Sequence, residues 1–104
     1  MIAVIFEFEP RPGKDRVYFD LAAELRARLE DVDGFVSVER FKSLTHEGKY
    51  ASLSFWRDED AVERWRGQAE HRLAQERGKK EIFADFRIRV AEVVRDYTLA
   101  DRKD

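Results

Sequence analysis

The chain has no cysteine, which removes disulfides, iron–sulfur clusters, thiolate nucleophiles and sulfur-ligated zinc together. Its two histidines, His46 and His71, stand in separate elements with no HExxH or comparable ligand spacing, so no metal site is expected. No apolar run approaches membrane-spanning length, and the opening MIAVIFEFEP is too short and too acidic for a secretory signal. A cytoplasmic protein with no membrane partner is therefore expected. Nor is there an excess of one charge: 20 Lys and Arg against 22 Asp and Glu leave a formal net charge of -2, without the clustered cations that nucleic acid demands. Glycine-rich phosphate loops, dinucleotide fingerprints and the GxSxG elbow are missing too. An enzyme built on this chain is expected to use no cofactor.

What is present is periodic. Ile2, Val4, Phe6 and Phe8 alternate with Ala3, Ile5, Glu7 and Glu9, the period of a strand, and PRPGK breaks it. Tyr18, Leu21, Ala22, Leu25, Leu29 and Val32 then fall on one helical stripe, which predicts a helix over 14–31 stopped by Asp33-Gly34. GFVSVERFKS and YASLSFW read as a hairpin across the THEGK turn. Asp58 or Asp60 can cap a second helix reaching about Gly78, with Glu63 three residues after Asp60 as in a capping box and an interruption expected at Gly67. FADFRIRVAEVVRDYTL follows as a long final strand. The order is βαββαβ, an α+β ferredoxin-like fold, expected as one domain over 1–98 with a polar tail over 99–104. With 104 residues the core is modest. Both sheet faces look apolar, with Phe35 and Phe41 opposite Val36 and Val38 on the second strand, and Ile88, Val90 and Val94 opposite Ala91, Val93 and Tyr97 on the fourth. The economical cover for a second apolar face is another copy, which predicts a homodimer with a shared barrel.

WRGQAEHRLAQERGKK carries the candidate chemistry. Trp65, with Ala61, Val62 and Ala69 at helical spacing, is either a core anchor or the wall of a pocket. His71 lies about 120° from Trp65 on an unbroken helix, at about 100° per residue, and turns inward only if the helix bends at Gly67. His46, in its turn, reads as solvated. Ser52, Ser54 and Trp56 share one side of the third strand with Tyr50, hydroxyls between aromatics that suit either a pocket for a partly polar ring or a plain surface. Arg89, among Val90 and Ala91, is either an ion-pair residue or a stabiliser of an anionic intermediate.

The order of elements, the FW before a capped helix and the stretch AVERWRGQAEHRLAQERGKKEIFADFRIRVAEVVRDY together resemble the antibiotic biosynthesis monooxygenase family over nearly the whole chain. The resemblance implies a dimeric α+β barrel, a cavity between helices and sheet, and cofactor-independent oxygenation of a small aromatic or enolisable substrate. It would make Trp65 a wall of that cavity and His71 a polar group near it; joined to the reading of the residues themselves, this gives His71 and Arg89 as the catalytic candidates and Trp65, Trp56, Ser52 and Ser54 as the substrate contacts. Relatives that degrade haem carry a polar amide on the first strand and a histidine further along the helix. Here the first strand gives Phe6, Glu7 and Phe8, and Gln75 lies a turn beyond His71, which sets haem degradation behind the cofactor-free reading. A non-catalytic binder or an isomerase on the same barrel are the other readings.

Overall fold

In the computed structural model, which describes residues 1–75 and 79–101, the expected order appears with two short additions. β1 spans Ile2–Pro10, α1 Asp15–Leu29, β2 Phe35–Lys42, β3 Tyr50–Trp56, α2 Glu59–Gln75 and β4 Phe83–Glu92, while a short α3 (Lys79–Ile82) precedes β4 and a 3₁₀ turn covers Leu99–Asp101. The strands form one antiparallel sheet in the order β2-β3-β1-β4. This is the ferredoxin-like α+β fold. β1 takes a central place and sends Ile2, Val4, Phe6 and Phe8 toward the helices. The segment expected to carry the second helix on to Gly78 and the last residues of the expected tail, 102–104, lie outside the described residues.

Two apolar clusters hold the layers together. Phe8, Tyr18, Leu21, Ile82 and Phe83 form one, where α1 and α3 meet the sheet; Leu29, Trp56, Ala61 and Val62 form the other, where β3 runs into α2. The second is fastened by a polar corner. Asp58 caps α2, its Oδ1 accepting from the Ala61 N–H at 2.9 Å, so Asp60 lies inside the helix and the capping box read from it does not form. Arg57 donates to both Asp33 carboxylate oxygens at 3.1 and 3.0 Å and to Asp58 at 3.1 Å. The Arg57 N–H also reaches the Gly34 carbonyl at 2.7 Å.

Gly34 is not the stop of α1, which ends at Leu29, but it does occupy the left-handed region at φ 92, and a Cβ there would stand 2.7 Å from the Cβ of Ala61. Gly34→Ala therefore combines a left-handed penalty of about 1–2 kcal/mol with a clash against a buried helix position. Gly48, at φ 80 with no atom within 4 Å of where a Cβ would stand, carries only the first of these. Urea unfolding is expected to show Gly34→Ala clearly less stable than Gly48→Ala; equal losses would mean that the approach to Ala61 relaxes freely.

Two strand expectations change. The register between β2 and β3 shifts between Phe35 and Ser37, so Phe35 faces the helices while Phe41, six residues on, pairs with Ala51 and faces away. A bulge adds one residue and inverts the alternation beyond it. Phe35 and Val38 thus share the helix side, against the expectation. β4 ends at Glu92, and one last bond follows it, from the Val93 N–H to the Met1 carbonyl at 2.9 Å. Residues 93–98 continue beyond the sheet, leaving Val94 81% and Tyr97 57% exposed.

Several carboxylates sit beside cations. Hydrogen bonds from Arg57 to Asp33, from the Ala61 N–H to Asp58, from Lys49 to Glu7 and from Arg72 to Glu24 each hold the carboxyl below its ordinary range. Depressed folded-state values stabilise the fold above that range, and the stabilisation is lost as pH falls through it, because the unfolded chain binds more protons there. The thermal midpoint is expected to drop between about pH 6 and about pH 3; a midpoint flat across that interval would show these exposed pairs to be inert.

Candidate functional site

Register places the candidate side chains in rows across the helix-covered face of the sheet. One row runs Arg40, Ser52, Phe6, Ile88, and the next Val38, Ser54, Val4, Val90. These rows floor a cavity of about 430 Å³ lying between the two apolar clusters. Tyr18, Leu21, Ala22, Leu25 and Leu29 of α1 and Val62, Trp65, Ala69 and Leu73 of α2 wall it from above, with Arg26, Glu63, Arg66 and Glu70 among the charged lining residues, and it stays open to solvent along β4, where Ile88 and Val90 are about half exposed. The volume falls within the range of small-molecule sites.

Of the residues singled out in the sequence, Trp56, Trp65, Ser52 and Ser54 all line this cavity. Trp56 is 1% exposed, its Nε1–H donates to Ser54 Oγ at 2.8 Å, and its ring centroid lies 6.4 Å from that of Trp65. Trp56 is thus as much a core residue as a wall, and Ser54 spends an acceptor on holding it in place.

His71 and Arg89 are not brought to the cavity. α2 continues without a break through Gly67, where an added Cβ would meet nothing within 4 Å, and His71 remains on the exposed side of the helix. The interruption expected at Gly67 is absent because one glycine between Arg66 and Gln68-Ala69-Glu70, all good helix formers, lowers helix propensity without ending the helix. Arg89 lies on the opposite face of the sheet, since its neighbours Ile88 and Val90 point into the cavity, and its Nη1 donates to Glu7 Oε1 at 2.7 Å. Lys49 joins Glu7 from the other side at 3.1 Å. His46, read as solvated, is exposed but holds Glu9 at 2.6 Å.

Arg40 and Tyr18 are the site residues that sequence reasoning passes over. Tyr18 is buried, and burial pushes its hydroxyl up to about 12 against the opposing effect of the Arg40 guanidinium, so it stays a protonated donor across physiological pH. Arg40 also stands over the Phe19 ring, 5.4 Å from its centroid. The available signal for Arg40 was its even spacing from Val38; its place beside Ser52 became visible only with the register.

A four-stranded antiparallel sheet, helices over one face and a ligand-sized cavity between the layers define an α+β protein of the ferredoxin-like class. The chain belongs to the antibiotic biosynthesis monooxygenase family, whose profile matches residues 1–77. It is 45% identical over 93 residues to the jasmonate monooxygenase ABM of Pyricularia oryzae, an alignment covering 89% of this chain and 43% of that protein. The chain thus spans less than half of that relative. It is 31% identical over 93 residues to the uncharacterized protein YqjZ of Bacillus subtilis, covering 89% of this chain and 79% of the other. Rv0793 from Mycobacterium tuberculosis superposes with a TM-score of 0.77 at 21% identity, covering 93% of this chain and 98% of that one. SnoaB, a cofactor-independent oxygenase from Streptomyces nogalater, does so at 0.72 and 17%, covering 94% and 95%. At these identities the two solved structures show the fold.

Proposed function

We propose that this chain is a monooxygenase acting, without metal or flavin, on a small aromatic or enolisable compound held in the cavity, with Trp56, Trp65, Ser52 and Ser54 as substrate contacts. The observation that carries the reading is the apolar cavity of about 430 Å³ in a chain of this family. The jasmonate monooxygenase named above, which shares 45% of its aligned residues with this chain, supports oxygenation, and the cofactor-independent SnoaB supports the absence of a resident cofactor. In the reaction, a substrate methylene made acidic by its neighbours loses a proton, the carbanion passes one electron to O₂, and the radicals join as a hydroperoxide. Loss of water leaves the ketone, so R₂CH₂ and O₂ give R₂C=O and H₂O, with all four electrons drawn from the substrate. The protein contributes orientation of the substrate.

The test is oxygen uptake with a panel of anthrone-like and quinol-like compounds in the presence of a chelator, with ¹⁸O₂ to follow the inserted atom. Incorporation of one labelled oxygen per product supports the reading; binding without uptake would make the protein a ligand carrier, and product without label an isomerase. Because His71 is exposed on α2 and outside the cavity lining, His71→Ala is expected to leave turnover within about twofold, against the roughly hundredfold loss of a positioned acid or base. A loss of that size would return His71 to the reaction.

We further infer a homodimer. Ile5, Leu53 and Phe55 lie half-buried on the sheet face that no described helix covers, Phe41 is 46% exposed beside them, and the apolar arm at Val94 and Tyr97 projects past β4. A second copy covers both. Sedimentation at micromolar concentration is expected to give twice 12.3 kDa, and a monomer would defeat the inference.

A further inference from the structure

The cavity floor is chemically lopsided. Its β1–β4 half is hydrocarbon, with Val4, Phe6, Ile88 and Val90, whereas its β2–β3 half presents Arg40 directly across from Ser52. Among the described residues three guanidinium groups line the cavity, and they differ in how they are occupied. Arg66 is engaged within its own helix, at 3.7 Å from Glu63 and 3.4 Å from Glu70. Arg26 is on α1, away from the floor rows, and like Arg40 it is exposed. Arg40 forms no ion pair with any described acidic side chain, and its surroundings are neutral: the Phe19 ring beneath it, the Tyr18 hydroxyl above the floor and Ser52 across the strand pair. Arg40 is thus a solvent-exposed cation at the end of an apolar cavity, with the Tyr18 and Ser52 hydroxyls beside it and no described carboxylate paired with it.

We propose that Arg40, with the Tyr18 and Ser52 hydroxyls, is an anion pole that takes the carboxylate of an amphipathic monocarboxylic acid whose apolar body lies over Val4, Phe6, Ile88 and Val90. The proposal rests on the reading that this cavity is the substrate site, and it adds which end of the substrate lies where. One guanidinium and two neutral hydroxyls match a single negative charge. A planar fork suits a carboxylate in particular, two parallel N–H donors meeting two oxygens. A doubly charged phosphate would be left half-compensated, with Glu63 and Glu70 also facing the cavity. The hydrocarbon half sets the rest of the preference, because burying a chain or ring there removes apolar surface from water on both sides.

Trp56 and Trp65 line the cavity, so binding is read from tryptophan fluorescence without a label. The probes are decanoic acid and methyl decanoate, which share a body and differ in the charge. The parent is expected to bind the acid at least about tenfold more tightly than the ester, the scale of a hydrogen-bonded charge. Arg40→Gln should weaken the acid by about 10- to 100-fold and leave the ester unchanged, Arg40→Lys should restore part of the difference, and Arg26→Gln should leave the preference intact. Equal binding of acid and ester by the parent, or loss of the preference in Arg26→Gln but not in Arg40→Gln, overturns the anion pole while the cavity reading stands. Failure of both probes to change the fluorescence overturns the cavity reading along with it.

Discussion

Ala69→Trp is expected to reduce turnover by roughly a hundredfold, the scale at which misplacing a substrate by an ångström acts, while the protein stays folded. Ala69 lines the cavity from α2 and is only half-buried, so an indole there has an outlet toward solvent and need not overpack the clusters on either side. Its ring would occupy the volume above the Ser54 row and push a ligand away from Trp56 and Trp65. The comparison is with Arg64→Trp, on an exposed face of the same helix and outside the cavity lining, which should leave activity alone. Oxygen uptake measured beside thermal unfolding separates the outcomes. A folded Ala69→Trp protein with parental turnover would place the reaction outside this cavity.

Trp56→Ala is expected to cost about 3–5 kcal/mol of stability, the range for removing a large buried aromatic. Trp56 is 1% exposed, meets Phe35 edge-on at a 5.3 Å centroid distance, packs near Trp65 and closes a hydrogen bond to Ser54. Removing the indole both opens a void and leaves Ser54 without its donor. For a domain whose whole stability is about 5–15 kcal/mol, this change alone brings unfolding close to ambient conditions. Trp56→Phe keeps most of the packing but not the N–H, and should fall between parent and alanine. Urea titration decides it: a loss below about 1 kcal/mol would mean that β3 and α2 are joined elsewhere. The result also limits any kinetic reading of Trp56, because inactivity in an unfolded variant says nothing about substrate contact.

How much of this was legible in the sequence depends on the range of the interaction. The strand period of Ile2 to Phe8, the helical stripe from Tyr18 to Leu29 and the alternation of Ser52, Ser54 and Trp56 are local, and each gave its element and its face. The face of β2 was not recoverable, because the bulge at Phe35 to Ser37 is decided by pairing with β3 and leaves no mark in the spacing of Phe35 and Phe41. The length of β4 was not recoverable either: Val93, Val94 and Tyr97 have strand character, yet the ladder stops at Glu92. In the site, the residues on strands emerged through alternation, whereas His71 depended on a bend that one glycine did not make. Arg89 and Arg40 look alike as arginines among apolar neighbours, yet Arg89 faces Glu7 and Arg40 faces the cavity.

The position of β1 in the sheet has a consequence for how the chain is made. Its two partners come late: Ile2 pairs with Trp56 on one side and with Glu92 on the other. Emerging from a ribosome at about 5–20 residues per second, this apolar strand waits several seconds for the first neighbour and longer for the second. No hairpin can form early around it, and the sheet closes only through contacts between the extremes of the sequence, which slows folding relative to a chain with local pairings. During that interval Ile2, Val4, Phe6 and Phe8 are open to any other strand in reach. Refolding yield should therefore fall with protein concentration more steeply than native stability would suggest, and the first strand is where a chaperone would have most to cover.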